Sequence, residues 1–269
     1  KLFLLPVLLL FSLVLFSQNT VPANVLAYQR AHPDPEASSK AVGTVSKGSL
    51  QSGRLFPYQG SNFRYFDTLS YVSGRAWVHD RVRDATLDAY AALDTLVPGR
   101  ILGMMECSNE KGGKIWPHRT HQNGLSIDFM IPMRQNGQAF YGLDTVGLEH
   151  YLLEFDANAR YLGDTSIHAD LDLVARHLLL LQQTAKAHQL KITKVILKLE
   201  FKDELFATPH GKLLKNSGIY LASELTSLIN GLHDNHYHVD FGLFDGEVLI
   251  PLEIEYESTL NVLEFETPR

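Results

Sequence analysis

Apolar and polar positions follow two rhythms along this chain. Over residues 84–96, Leu87, Tyr90, Ala91 and Leu93 recur at helical spacing, and Pro98-Gly99 supplies a stop signal. A longer helical pattern fills residues 168–190, where Leu171, Leu173, Val174, Leu178, Leu181 and Ala185 share the chain with polar neighbours. The spacing predicts a further helix over 219–232, with Gly231 at its end. The other rhythm has a period of two. Leu125, Ile127, Phe129 and Ile131 alternate with Ser126, Asp128 and Met130, which predicts a half-buried strand. Short strands are also expected over 100–106, 191–199, 235–243 and 247–257, the last with acidic residues at alternate positions, as on a solvated edge. Helices and strands mix without a βαβ repeat, so the expected class is α+β: a central, mainly antiparallel sheet flanked by helices.

Two stretches lack either rhythm. Residues 28–54 are rich in Pro, Ser, Gly and Lys and read as an extended lead-in, neither helix nor strand. Residues 132–166 read as a variable insertion over the functional site. At the N-terminus, Lys1 is followed by a largely apolar run over 2–16 with no charge. A membrane-spanning helix needs about 20 such residues. The run matches the apolar core of a secretory signal peptide instead, with a cut expected after Ala27 in Val25-Leu-Ala27. The organisation expected is therefore a signal peptide over 1–27, the lead-in over 28–54 and one domain over 55–269. Export follows, with membrane contact only through the N-terminal segment if it stays attached.

Composition narrows the partners. With 24 basic and 30 acidic side chains the formal charge is −6, and no basic stripe is visible, so nucleic acid is not an expected partner. Cys107 is the only cysteine, which excludes an intrachain disulfide. Twelve histidines are a high count, and they cluster.

Asp128 sits mid-strand among apolar positions, where a carboxylate is costly unless a cation or several hydrogen bonds satisfy it. A turn at Gln122-Asn-Gly124 can fold His121 back beside it, because Gly124 has no Cβ to obstruct the turn. The bland alternative is an Asp capping a turn and a surface His. Downstream, His236 and His238 flank Tyr237 on a strand, so both imidazoles share a face while Tyr237, Val239 and Phe241 face the core. Together the two segments offer His, Asp and His for one ion. That donor set suits Zn2+ better than Ca2+ or Mg2+, and three protein ligands with an open fourth position mark a catalytic zinc, hence a hydrolase. His118, three residues before His121, stands open between ligand and bystander. His32, His79, His150, His168, His177, His188 and His210 read as satisfied surface or helix residues.

His121-x2-Gly-x3-Asp128 with His233-x2-His236-x-His238 resembles the penicillin-insensitive murein endopeptidases, periplasmic zinc peptidases grouped with the D-Ala-D-Ala carboxypeptidases and dipeptidases. The resemblance extends through Pro117-His-Arg-Thr-His-Gln-Asn-Gly-Leu-Ser-Ile-Asp128 and includes Val42-Gly-Thr-Val-Ser-Lys-Gly-Ser-Leu50 and Val78-His79, covering most of residues 40–245. It implies that His121, Asp128 and His238 bind Zn2+ on the sheet face, that His236 lies beside the metal and supports transition-state charge, and that His233 is the general base. It also implies a periplasmic enzyme whose substrate is the peptide cross-link of peptidoglycan, at a D-Ala to meso-diaminopimelate bond. The carboxypeptidase branch has Glu where this chain has His233 and Ser where it has Arg119, and both departures favour the endopeptidase branch. The family's second metal site uses an Asp-x2-His, which residues 156–159 (Asp-Ala-Asn-Ala) do not supply. The competing expectations are a D,D-carboxypeptidase or dipeptidase on stem peptides, and a zinc-containing cell-wall binding module without catalysis.

Overall fold

The computed structural model describes residues 20–244. The apolar run over 2–16 and the strand expected over 247–257 lie outside the described residues. The chain opens with helix α1 (Ala23–Ala31) and the hairpin β1 (Lys40–Thr44) and β2 (Lys47–Gln51). The expectation of neither helix nor strand over 28–54 is thereby corrected. The hairpin turns on Gly43 (φ 72°), where the approach of the Lys47 carbonyl leaves no room for a Cβ. The cut expected after Ala27 would fall inside α1, whose Val25 is fully buried and whose Tyr28 stands edge-on to Tyr71 at 6.0 Å.

Strands β3 (Arg54–Leu55) and β4 (Phe63–Tyr65), helix α2 (Thr68–Val72), strand β5 (Trp77–Val78) and helix α3 (Asp80–Leu96) follow. Asp67 caps α2 through Ser70 N, and His79 caps α3 through Arg81 N, so α3 begins four residues before the apolar spacing first shows it. Next come β6 (Leu102–Met104), β7 (Ser126–Met130), β8 (Met133–Gln135), β9 (Gln138–Phe140), β10 (Ile167–Ala169), helix α4 (Leu171–Ala187) and β11 (Leu190–Ile196). Helices α5 (Lys202–Ala207), α6 (Pro209–Lys215) and α7 (Ser227–Gly231) precede the last strand, β12 (His236–Leu243). The helix expected over 219–232 shrinks to α7. Residues 220–222 run beside β11 instead, with Val195 N donating to Tyr220 O and Ala222 N to Val195 O, both at 2.9 Å, so the strand edge meets their backbone polarity.

The central sheet has five strands in the order β11-β12-β7-β6-β4, antiparallel except for the parallel pair β4–β6. This is the α+β architecture expected. Strand β7 is buried on both faces rather than half-buried. On one face Phe129 and Tyr237 meet α3 and α4 through a stack in which Tyr90 lies 5.3 Å from His177 and His177 4.9 Å from Phe129. The other face carries Asp128 and His238. Residues 132–166 form the β8–β9 hairpin, completed by β10 into a small sheet, and a 3-10 turn at Gly147–Leu152 that packs toward Asp128. Among the described residues no helix is long and apolar enough to cross a membrane.

Candidate metal centre

Register builds the centre. In the antiparallel β7–β12 pair, Asp128 stands opposite His238 and Ser126 opposite Asp240, so these four side chains share one face. The loop before β7 delivers the rest. His121 takes φ 65° and Gly124 φ 78°, and a Cβ on Gly124 would lie 2.8 Å from the His79 nitrogen. The loop is anchored by Gln122 N to Val45 O (2.9 Å), Gly124 N to Ser108 Oγ (3.0 Å) and His79 N to Gly124 O (3.0 Å). The result is the turn that brings His121 back beside Asp128.

Asp128 is the hub. His238 Nδ1 lies 2.8 Å and His121 Nε2 3.2 Å from its Oδ1, while His118 Nδ1 is 3.5 Å and His236 Nε2 3.9 Å from Oδ2. The His233 ring stands 4.8 Å from that of His236 and 6.4 Å from that of His238. Every site residue expected from the sequence is therefore gathered around one carboxylate. His118, left open by the sequence, belongs there too. His118, His121 and Asp128 form a group with ligand atoms within 4.8 Å of one another and can hold a metal ion.

Carboxylates and carbonyls orient the rings from behind. His118 Nε2 lies 2.7 Å from Glu106 Oε2, and Glu106 is in turn gripped by Arg75 and by Ser70 Oγ. His238 Nε2 lies 2.7 Å from Asp240 Oδ1, which accepts from Ser126 Oγ, while Lys194 Nζ holds Oδ2 at 2.8 Å. His233 donates through Nδ1 to Ile229 O at 2.6 Å. Asn235 Nδ2 donates to Leu153 O, which leaves Asn235 Oδ1 to accept from His236 Nδ1 at 2.7 Å. An imidazole backed by a carboxylate or carbonyl in this way is the arrangement that fixes tautomer and ring orientation in metal sites.

The electrostatics reflect this crowding. Burial alone would raise the Asp128 carboxyl, but His121, His238 and His236 hold it well below the usual range. Burial lowers His121 and His236 from the ordinary imidazole value and takes His233 down to about 4. His233 is thus a free base at neutral pH. Burial would also lower His238, yet Asp240 and Asp128 on either side push it up to about 9.

Both ring nitrogens of His121 and Oδ2 of Asp128 are buried without a hydrogen-bond partner. Polar atoms orphaned in this way are rare in folded proteins, and a bound cation is one of the few groups that would satisfy both Asp128 Oδ2 and one ring nitrogen of His121. The donor set fits a metal ion on this ground. Glu106 and Asp240 escaped the sequence reading, although Asp240 shares the face of His236 and His238 by its spacing of two. His79, His150, His177 and His210, read as surface or helix residues, are buried. No protein-family model and no curated protein matches this chain.

Proposed function

We propose that this chain is a zinc-dependent peptidoglycan endopeptidase, exported to the periplasm, that hydrolyses the D-Ala to meso-diaminopimelate cross-link. The observation that carries the reading is the set of unpartnered ligand atoms on His121 and Asp128, ringed by imidazoles beyond those a metal needs. His121, Asp128 and His238 are the zinc ligands in this reading, because Nε2 of His121 and Nδ1 of His238 both approach the same Asp128 oxygen. An imidazole nitrogen and a carboxylate oxygen on one tetrahedral ion stand roughly 3.4 Å apart, close to the 3.2 Å between His121 Nε2 and Asp128 Oδ1. His118 approaches the other carboxylate oxygen and flanks the metal. A ligating imidazole must be unprotonated, so His238 gives up one proton on binding.

Bound there, zinc supplies a Lewis acid and a water acidic enough to act near neutral pH. His233 accepts the proton of the attacking water and returns it to the leaving amine. Its Nδ1–H is committed to Ile229, which leaves Nε2 as the accepting lone pair. His236 stands beside the metal with its Nδ1–H committed to Asn235, so it supports transition-state charge only when doubly protonated. The test is to incubate zinc-loaded protein with whole sacculi, with and without chelator, and to identify the new termini by mass. New D-Ala carboxyl and diaminopimelate amino termini that vanish with chelator are expected. Loss of terminal D-Ala alone would make it a carboxypeptidase, and stoichiometric zinc with no product from any muropeptide would make it a binding module.

A further inference from the structure

We propose that the Tyr151 hydroxyl is the hydrogen-bond donor to the oxygen that gains charge in the transition state at this centre. The inference rests on the hydrolase reading above and adds a catalytic residue to it. Tyr151 comes from the 3-10 turn Gly147–Leu152, inside the segment that reads from the sequence as an insertion over the site. Its ring stands edge-on to His236 at 5.5 Å and to Phe66 at 5.6 Å, and 6.4 Å from His118. The hydroxyl is buried and has no hydrogen-bond partner. Burial, reinforced by the nearby carboxylates of Glu106 and Asp128, raises the phenol well above its ordinary value, so it keeps its proton. The turn is held in place by His150, whose Nδ1 lies 3.1 Å from Leu143 O and Nε2 3.0 Å from Asn235 O, the residue before His236.

The ring nitrogens of four neighbouring histidines are already committed. His118 Nε2 faces Glu106, His233 Nδ1 faces Ile229 O, His236 Nδ1 faces Asn235, and the two nitrogens of His238 face Asp128 and Asp240. Neutral His236 then presents a lone pair, not an N–H, toward Asp128. A tetrahedral oxygen gaining negative charge needs a donor that is already oriented and dry, and Tyr151 offers one. No proton is transferred in this role. The phenol keeps its O–H bond throughout and only donates a hydrogen bond.

The test compares parent and Tyr151→Phe for zinc content, melting temperature, product affinity, turnover on a cross-linked muropeptide dimer, and affinity for a phosphinate dipeptide. The phosphinate is an uncleavable tetrahedral mimic. Phenylalanine keeps the ring contacts with Phe66 and His236, so zinc, melting temperature and product affinity are expected to match the parent. Phosphinate affinity and turnover should each fall by about 10²-fold, the effect of deleting one oriented donor. Tyr151→3-fluorotyrosine, a more acidic donor, should bind the phosphinate more tightly than the parent. Equal phosphinate binding by parent and Tyr151→Phe overturns the inference alone. A parent that neither binds the phosphinate nor cleaves the dimer overturns the endopeptidase reading and this inference with it.

Discussion

Asp128 and His238 are direct partners across the β7–β12 ladder, with Nδ1 of His238 2.8 Å from Oδ1 of Asp128. Their contact is fixed by strand register and not by a mobile loop. A one-residue slip of β12 against β7 would put the two side chains on opposite faces of the sheet, so the core packing of Phe129 and Tyr237 and the geometry of the centre depend on the same pairing.

The carboxylates behind the rings separate the two possible third ligands. Removing an outer partner of a ligating histidine weakens metal binding by about 10–100-fold. Asp240→Asn is expected to show that loss in a competitive zinc titration, because Asp240 backs His238. Glu106→Gln, which backs His118, should change affinity less than threefold, about 0.6 kcal/mol. The reverse ranking would make His118 the ligand and His238 the flanking residue.

His233 acts on a proton in this account and does not hold the ion. His233→Ala should therefore retain stoichiometric zinc by elemental analysis and lose about 10²–10⁴ in turnover on muropeptide dimers. Turnover at the parent rate would remove His233 from the mechanism.

The turn before β7 has no space for a side chain. Gly124 holds φ 78°, and an added Cβ would meet the His79 nitrogen and both Leu50 methyls within 2.9 Å. Gly124→Ala should destabilise the fold by more than about 1 kcal/mol, read as a shifted denaturant midpoint, since the native backbone angle and the space both exclude it. Zinc affinity should fall with it, because the same turn positions His121.

A pH effect arises on the sheet face opposite the candidate metal centre. His177 lies buried between Tyr90, Phe129 and Tyr237, and burial lowers it from 6.5 to about 3. The unfolded chain therefore takes up a proton on this residue over a range where the folded chain does not. Stability contributed by neutral His177 is full above about pH 6.5 and declines as pH falls toward 3, at about 1.4 kcal/mol per unit. In metal-free protein, the loss of unfolding free energy between pH 7 and pH 5 should be about 2 kcal/mol smaller for His177→Gln than for the parent. Equal losses would show that His177 takes up its proton in the folded state near its ordinary pH.

Periodicity made much of this architecture legible. Helices α3 and α4 and strands β7 and β12 follow from apolar spacing, because each buries a regular face. Residues 28–54 and 219–226 differ from their sequence pattern for a shared reason. Both segments pair with distant backbone, Ser49 with Gly112 and Leu221 with Val195, which composition does not encode. At the centre, the spacing of His121, Asp128, His236 and His238, with the resemblance that adds His233, marks residues that the fold does gather. Glu106 and Tyr151 carried no such mark, since each reaches Asp128's surroundings only through tertiary packing. Strand β7 looked half-buried because Ser126 and Asp128 are polar, yet both are covered by the loop and turn that build the centre.

The central claim is that one ion sits among these side chains, and anomalous diffraction from zinc-loaded crystals, measured on either side of the zinc absorption edge, tests it most directly. The account predicts a single strong peak about 2.0–2.1 Å from Nε2 of His121 and Nδ1 of His238, with an oxygen of Asp128 at about 2.0–2.2 Å. Zinc-loaded crystals with no peak beside Asp128, or with the ion held elsewhere, would contradict it.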